Sequence, residues 1–344
     1  MRFPARPRPS KKKYFIGVIP DTHVGYSLDS PTYSIPAWDV AMQALWHNVN
    51  RLTHIVILGD FGNWESVSHW PSIRADQCFI KEDVGLVNLR LAEIRSLNVA
   101  RAKVGMVPIK LIFIEGNHEA WASQLESKYP LLRDELNLKR LLGFDQPDHL
   151  WVPENQFWAI GDIHFTHGHF RGNSKPGGLL KQGISVIHGH DHTLTVTPLR
   201  TVNAELEQWS FGCLAMIDPP PPYSRGKLPE SWVHGLGWVR VRSNGRFQVD
   251  YTRIMEESWA ELPDGTELRV DVRACQRRYD QDQRLRDQLR KDYAERFYDP
   301  DGPVLRTEPH HGKVDRDGNA TAVARTRRAR IVRMLPEGVK GGAK

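Results

Sequence analysis

Five short runs of the chain are apolar almost without interruption: "YFIGVI" (14–19), "HIVIL" (54–58), "IKLIFI" (109–114), "DIHFTH" (162–167) and "ISVIH" (184–188). Runs of this length with no polar face are expected of strands covered on both sides. Between the first two, residues 36–50 place Val40, Leu45, Trp46 and Val49 at helical spacing. Residues 76–103 carry Val84, Val87, Leu91, Ile94 and Leu97 on one stripe, and residues 130–144 read as a third amphipathic helix. Strands alternating with helices predict an α/β core. After residue 200 the pattern changes. "TVNAELEQWSFGCLAMI", "HGLGWVRVRS" and "RFQVDYTRI" read as antiparallel strands, interrupted by the extended run Pro219–Pro222. Residues 267–298, rich in Arg, Asp and Gln, predict a solvent-exposed helix with little to bury.

With 344 residues the chain can bury one large core plus an appendage. No apolar run approaches the ~18 residues of a membrane span, so no membrane association is expected. The N-terminus sets six basic residues before Tyr14–Pro20, a stretch too short for a secretory signal. Cys78, Cys213 and Cys275 are scattered and lack C-x-x-C spacing, which fits a reducing compartment and no zinc–thiolate site. The expected location is therefore cytoplasmic, or the host cytoplasm for a phage-encoded chain. The net charge of +6 is unevenly spread. Residues 1–13 hold six Lys/Arg and no acid, and residues 301–344 hold ten Lys/Arg against five acids. Basic ends on a mildly acidic body suit contact with nucleic acid or another polyanion.

Each early strand ends in residues that bind metals. "VIPDTH" delivers Asp21 and His23, "VILGDFGN" delivers Asp60 and Asn63, and "FIEGNHE" delivers Asn117, His118 and Glu119. "HFTHGH" delivers His167 and His169, and "VIHGHDH" delivers His190 and His192. Ligands gather outside the carboxyl ends of strands in α/β sheets, so five such ends point at one site. Imidazoles mixed with carboxylate and amide oxygens suit Mn²⁺, Fe, Zn²⁺ or Ni²⁺. At least seven candidate donors exceed what one tetrahedral ion needs, which predicts two divalent ions, a recurring design for phosphoester cleavage.

The ordered series D-x-H, GD-x-x-N, GNHE, HGH and GHDH resembles the calcineurin-like metallophosphoesterase superfamily over residues 14–250. It is closest in character to the DNA-repair exonuclease-type and phage-encoded members. The resemblance implies a four-layer αββα sandwich of two mixed β-sheets flanked by helices, with a C-terminal helical and basic extension. It also implies that Asp21, His23, Asp60 and His192 hold one ion, with Mn²⁺ foremost. Asp60, Asn117, His167 and His190 would hold the other, with Asp60 as the bridge. His118 would act as general acid while a hydroxide bridging the ions attacks phosphorus. Asn63, Glu119, His169, Trp64 and Trp121 would support the ligands or touch substrate, and His188 would be a supporting or structural residue. His47, His54 and His149 lack this context and read as ordinary packing or surface residues.

The second motif departs from the family pattern. It ends in the uncharged Asn63, followed by Trp64 and Glu65 rather than an arginine, which argues against a protein phosphatase. The basic ends, and Trp64, Trp70 and Trp121 as possible stacking surfaces, favour a phosphodiesterase or nuclease acting on DNA. A small-molecule or nucleotide phosphatase is the alternative, and a scaffold without catalysis is a third class. The expected organisation is a basic arm over 1–13, a catalytic domain over 14–255 with a helical excursion at 64–105 near the site, and a helix and basic tail over 256–344.

Overall fold

The structure is a computed structural model that describes residues 12–27, 30–68, 79–169, 180, 183–202, 204–218 and 230–297. Most of the basic arm, the tail beyond residue 297, Trp70, Cys78 and the proline run lie outside the described residues. The chain opens with β1 (Tyr14–Ile19), the short hairpin β2 (Tyr26–Ser27) and β3 (Ser30–Pro31), and α1 (Ile35–His47). Next come β4 (His54–Ile57), α2 (Ile80–Lys103), β5 (Lys110–Ile114) and α3 (Asn117–Lys128). Two single-turn helices follow, α4 (Arg133–Leu136) and α5 (Leu138–Leu141), then β6 (His149–Val152), β7 (Trp158–Ile160), β8 (Ile163–Thr166) and β9 (Ser185–His188). The remainder is β10 (Leu194–Arg200), β11 (Glu205–Phe211), β12 (His234–Val241), β13 (Phe247–Met255), β14 (Trp259–Glu261), β15 (Glu267–Arg269) and α6 (Val272–Phe297).

The strands form two mixed sheets flanked by helices, as expected. The larger runs β15-β14-β13-β12-β1-β4-β5-β6, and the smaller runs β10-β11-β9-β8-β7. In the larger sheet β1, β4, β5 and the edge strand β6 are mutually parallel, as are β8, β9 and β11 at the centre of the smaller. The period-2 alternation of a strand divides the apolar runs between two cores. Ile16, Val18, Val56, Leu58, Ile112 and Ile114 meet Ile163, Phe165, Ile187 and Phe211 between the sheets. Ile19, Ile55, Ile57, Leu111 and Phe113 face the other way, onto Trp38, Leu45, Leu91 and Leu97 of the helices. No helix among the described residues is long and apolar enough to cross a membrane.

Three readings of the pattern are corrected. Residues 130–144 are not one helix: Asn137, at φ −74° and ψ 83°, breaks it, and its side chain accepts a hydrogen bond from the Arg140 N–H. An asparagine competes in this way with helical backbone and is better as a cap. The larger sheet also continues past residue 255 through β14 and β15, and the compact unit extends to Arg296.

The third correction concerns α6, which is not a free solvent-exposed helix. Asp282 and Arg286 are buried on it, Asp282 pairing with Arg90 of α2 and Arg286 with Glu82. Tyr26 and Tyr33 both donate to the Asp282 carboxylate, and the Arg286 guanidinium lies 4.1 Å from the centre of the Tyr26 ring. A helix docked by ion pairs carries the residue pattern of an exposed one, which is why the pattern misleads.

Removing one partner of a buried pair strands the other charge in a poor solvent. Asp282→Ala is therefore expected to cost about 3–5 kcal/mol, measured by urea unfolding. The double variant Asp282→Leu with Arg90→Met, which removes both charges, is expected to lose clearly less. Equal losses for the single and double variants would show that the cost is packing, not charge.

Candidate metal centre

Parallel strands share a direction, so their carboxyl ends lie along one edge of each sheet. The loop after β1 carries Asp21 and His23, the loop after β4 carries Asp60, and α3 begins at Asn117 directly after β5. The smaller sheet contributes His167 after β8, and His190 and His192 after β9. The turns are sharp. His23, Asp60, His190 and His192 have φ of 54°, 44°, 72° and 55°, a region that costs a non-glycine residue about 1–3 kcal/mol. Two neighbours must be glycine for the approach to be possible. A Cβ on Gly116 would lie 2.2 Å from the Asp60 backbone nitrogen, and one on Gly189 would lie 2.3 Å from Asp21 Oδ1.

The ligand atoms form three overlapping groups, each with members within 4.8 Å of one another: Asp21, His23 and His192; His23, Asp60 and His118; Asp60, His167 and His190. His23 Nε2 faces His192 Nε2 at 3.1 Å, and His192 Nε2 lies 3.2 Å from Asp21 Oδ2. His167 Nε2 lies 2.9 Å from Asn117 Oδ1 and 3.3 Å from Asp60 Oδ2, while its Nδ1 is held by the Leu58 carbonyl at 2.8 Å. Thus the structure brings together Asp21, His23, Asp60, Asn117, His118, His167, His190 and His192. His47 instead pairs with Asp264 on the surface, and His54 and His149 lie outside these groups.

The electrostatics suit a cation. Burial opposes ionisation of Asp60 and Asp21, but the facing imidazoles, His167 first, outweigh it and lower both, Asp60 well below the carboxylate range. Burial, then the neighbouring His118 and His192, holds His23 well below the imidazole range. Burial and His167 bring His190 down to about 4, and burial also lowers His118. His167 moves the other way: burial disfavours its charge, but Asp60 and Asp21 raise it to about 10. Ionised carboxylates beside neutral imidazoles are the donor set a divalent transition metal takes, in exchange for the His167 proton. Two imidazole nitrogens 3.1 Å apart can share only one proton, whereas an ion between them and Asp21 would use all three donors. The residues fit the implied ions.

Glu119 contributes differently from a substrate contact. Its carboxylate is fully buried and accepts from the backbone N–H groups of Asp60 (2.8 Å), Phe61 (3.0 Å), Gly62 (3.1 Å) and Gly116 (3.0 Å). A fifth donor is Trp64 Nε1, at 2.9 Å. Burial, then the Asp60 charge, raises its pKa to about 7, with the Trp64 and Gly62 donors pulling it down. Trp64 is wholly buried in this role and cannot offer a face to a base. Asn63 is buried as well. Its carbonyl takes the His118 Nδ1–H at 2.8 Å, leaving His118 Nε2 to face Asp60 Oδ2 at 4.0 Å. Trp121, one turn along α3, packs its ring 4.0 Å from that of His118.

Several partners escaped the sequence reading. Glu154 holds His169 Nδ1 at 3.1 Å, and the His169 ring lies 4.8 Å from that of His190. Gln208 donates to His188 Nε2 at 3.0 Å, and His188 Nδ1 lies 2.8 Å from the Gly189 carbonyl. Trp232 packs its ring 4.1 Å from that of His192. None stands in a ligand motif, and no local signal marks them.

Replacing Glu119 by Gln places an amide NH₂ among N–H donors and removes the charge that draws them in. The expected loss is about 3 kcal/mol of stability, read by urea unfolding, together with a fall in bound metal. Unchanged stability would show that the carboxylate does not hold the Asp60 loop.

No family model matches this chain, and no curated protein matches its sequence. Among solved structures it is similar to a conserved uncharacterized protein of Streptococcus pneumoniae described as a predicted phosphoesterase. The two are 13% identical, the similarity covers 70% of this chain and 90% of that one, and the TM-score is 0.31. A likeness at that level says nothing about the chemistry of the site, which rests on its own geometry.

Proposed function

We propose that the chain is a dinuclear-metal phosphoester hydrolase, and specifically a phosphodiesterase acting on nucleic acid. The observation that carries the first part is Asp60, which belongs to two of the three ligand groups at once and has His118 Nε2 beside it. Asp21, His23 and His192 would hold one ion and Asn117, His167 and His190 the other, with Asp60 between them. Such a pair of ions, Mn²⁺ foremost, supplies a nucleophilic water at neutral pH and positive charge for the phosphoryl oxygens. The chain's own groups do the rest. The first turn of α3 adds the partial positive charge of a helix N-terminus, and the His118 N–H fixes Asp60 Oδ1 at 2.8 Å. With Nδ1–H committed to the Asn63 backbone carbonyl, His118 presents Nε2 alone to the site, and in its imidazolium form it would give the Nε2 proton to the leaving oxygen.

The diester reading draws on the sequence. A diester carries one negative charge where a monoester carries nearly two, and Trp64 and Glu65 follow Asn63 in place of an arginine that would serve a monoester. The basic residues of 1–13 and 301–344 suit a phosphate backbone. Stacking on Trp64 is withdrawn as support, since that ring is buried. The two described cysteines, Cys213 and Cys275, are unpaired thiols, as suits a cytoplasmic enzyme.

Elemental analysis is expected to find close to two transition-metal ions per chain, and Asp60→Asn to deplete both. His118→Asn is expected to keep both ions and lose about 10²–10⁴-fold in rate on poor leaving groups, with a smaller loss on good ones. Full occupancy in the first variant would remove Asp60 as the bridge, and equal losses in the second would remove the general acid.

The polymer reading predicts faster turnover of an aryl phosphodiester than of the matching monoester, with cleavage of DNA in Mn²⁺. Deleting 1–13 and 301–344 removes no residue of β1 or of any later element through α6. That truncation is expected to weaken DNA binding and flatten its salt dependence while sparing aryl-diester turnover. A strong monoester preference without DNA cleavage would replace this reading with the small-molecule phosphatase.

A further inference from the structure

Five rings stand in a row across the candidate metal centre: Trp121, His118, His23, His192 and Trp232. Their successive centroid separations are 4.0, 4.6, 5.0 and 4.1 Å. Both ends of the row are indoles. Trp121 is brought to His118 by the helix that carries them both, three residues apart. Trp232 has no such local connection, lying 40 residues beyond His192.

The backbone nonetheless ties the two together. Val233 donates its N–H to the His192 carbonyl at 3.2 Å, and Thr193 forms an isolated antiparallel bridge with Trp232. The Trp232 ring stands at 69° to the His192 imidazole. His192 has the left-handed φ of 55°, and its ring is hemmed by Asp21 and His23 on the metal side. An imidazole on such a turn has freedom about its side-chain bonds that its own backbone does not remove. A bulky ring packed edge-to-face against the imidazole removes it.

We infer that Trp232 is a positioning residue for His192, holding the imidazole against Asp21 and His23 so that these three form one ion site. The inference rests on the dinuclear reading above and adds to it a residue outside every ligand motif. Hydrogen-bonded groups that orient a metal ligand typically change metal affinity by about 10–100-fold when removed, and an effect in that range is expected of a packed ring that restrains the same imidazole. The effect should fall on one ion of the pair, because the Asp60, His167 and His190 group does not include His192.

The test is a Co²⁺ titration of the full chain after chelation, followed by visible absorption and calorimetry. The parent chain is expected to show two binding steps. Trp232→Ala should weaken one step by about 10–100-fold and leave the other unchanged, and Trp232→Phe, which keeps a ring at that place, should restore it. If circular dichroism shows that the alanine variant does not fold, Trp232→Leu takes its place, with the same expectation of one weakened step. Two unchanged steps in the folded variant, or a phenylalanine variant as weak as alanine, would overturn the inference while leaving the dinuclear reading intact. A parent chain that binds no Co²⁺ would overturn both.

Discussion

One carboxylate organises the loops that carry the bridge and the acid. Glu119 gathers five N–H donors from three places in the chain: the turn after β4, the indole of Trp64 and the start of α3. Asp60 sits in a backbone conformation worth about 1–3 kcal/mol against it. Each hydrogen bond returns roughly 0.5–1.5 kcal/mol, and more while the carboxylate is ionised, so the three to residues 60–62 together match or exceed that strain. Because Glu119 is itself the third residue of α3, the same grip sets where Asn117 and His118 stand relative to Asp60. The candidate bridge, one candidate ligand and the candidate acid are thereby referred to a single buried group.

The neighbouring elements extend this bracing outward. Thr32 donates its hydroxyl to the His23 carbonyl at 2.6 Å, and Asn63 donates its N–H to Val24 at 2.9 Å, so the turn bearing His23 is tied to its own hairpin and to the Asp60 loop. Tyr33, next in the chain, reaches Asp282 on α6, and Ser66 on the other loop is held by Asp83 of α2 at 2.6 Å from its hydroxyl. The outer helices therefore fasten the loops as well as covering the sheet. They do so with polar groups, because loops with exposed backbone offer hydrogen-bonding partners where a strand face offers only methyls.

How much of this could be read from sequence depends on the range of the interaction. The strands and the candidate ligands at their ends were legible because alternation and the strand-end rule are local: Asp21, Asp60, Asn117, His167 and His192 each follow an apolar run within a few residues. The broken helix at Asn137 could have been weighed, since asparagine is a cap former, but its apolar spacing concealed the break. The burial of α6 was not legible, because Asp282 and Arg286 differ from their exposed neighbours only in having partners about 200 residues away. Glu119 was visible as a residue of the third strand-end motif, after β5, yet its five donors exist only once β4 and β5 are adjacent. Trp232 carried no mark at all.

The same charge pattern constrains the order in which such a centre can work. Asp21 and Asp60 are held ionised and His23 and His190 neutral, while His167 keeps its proton, so these candidate ligands by themselves present two negative charges against one positive to an incoming phosphoester. The α3 N-terminus offers only about half a positive charge against this, and the His118 N–H at its start is already committed to Asp60. A phosphoester anion is therefore repelled by the bare ligand set and attracted once divalent cations outweigh the carboxylates. In a site of this composition divalent ions would be part of a phosphoester's binding surface before they were part of the chemistry, and would have to precede it.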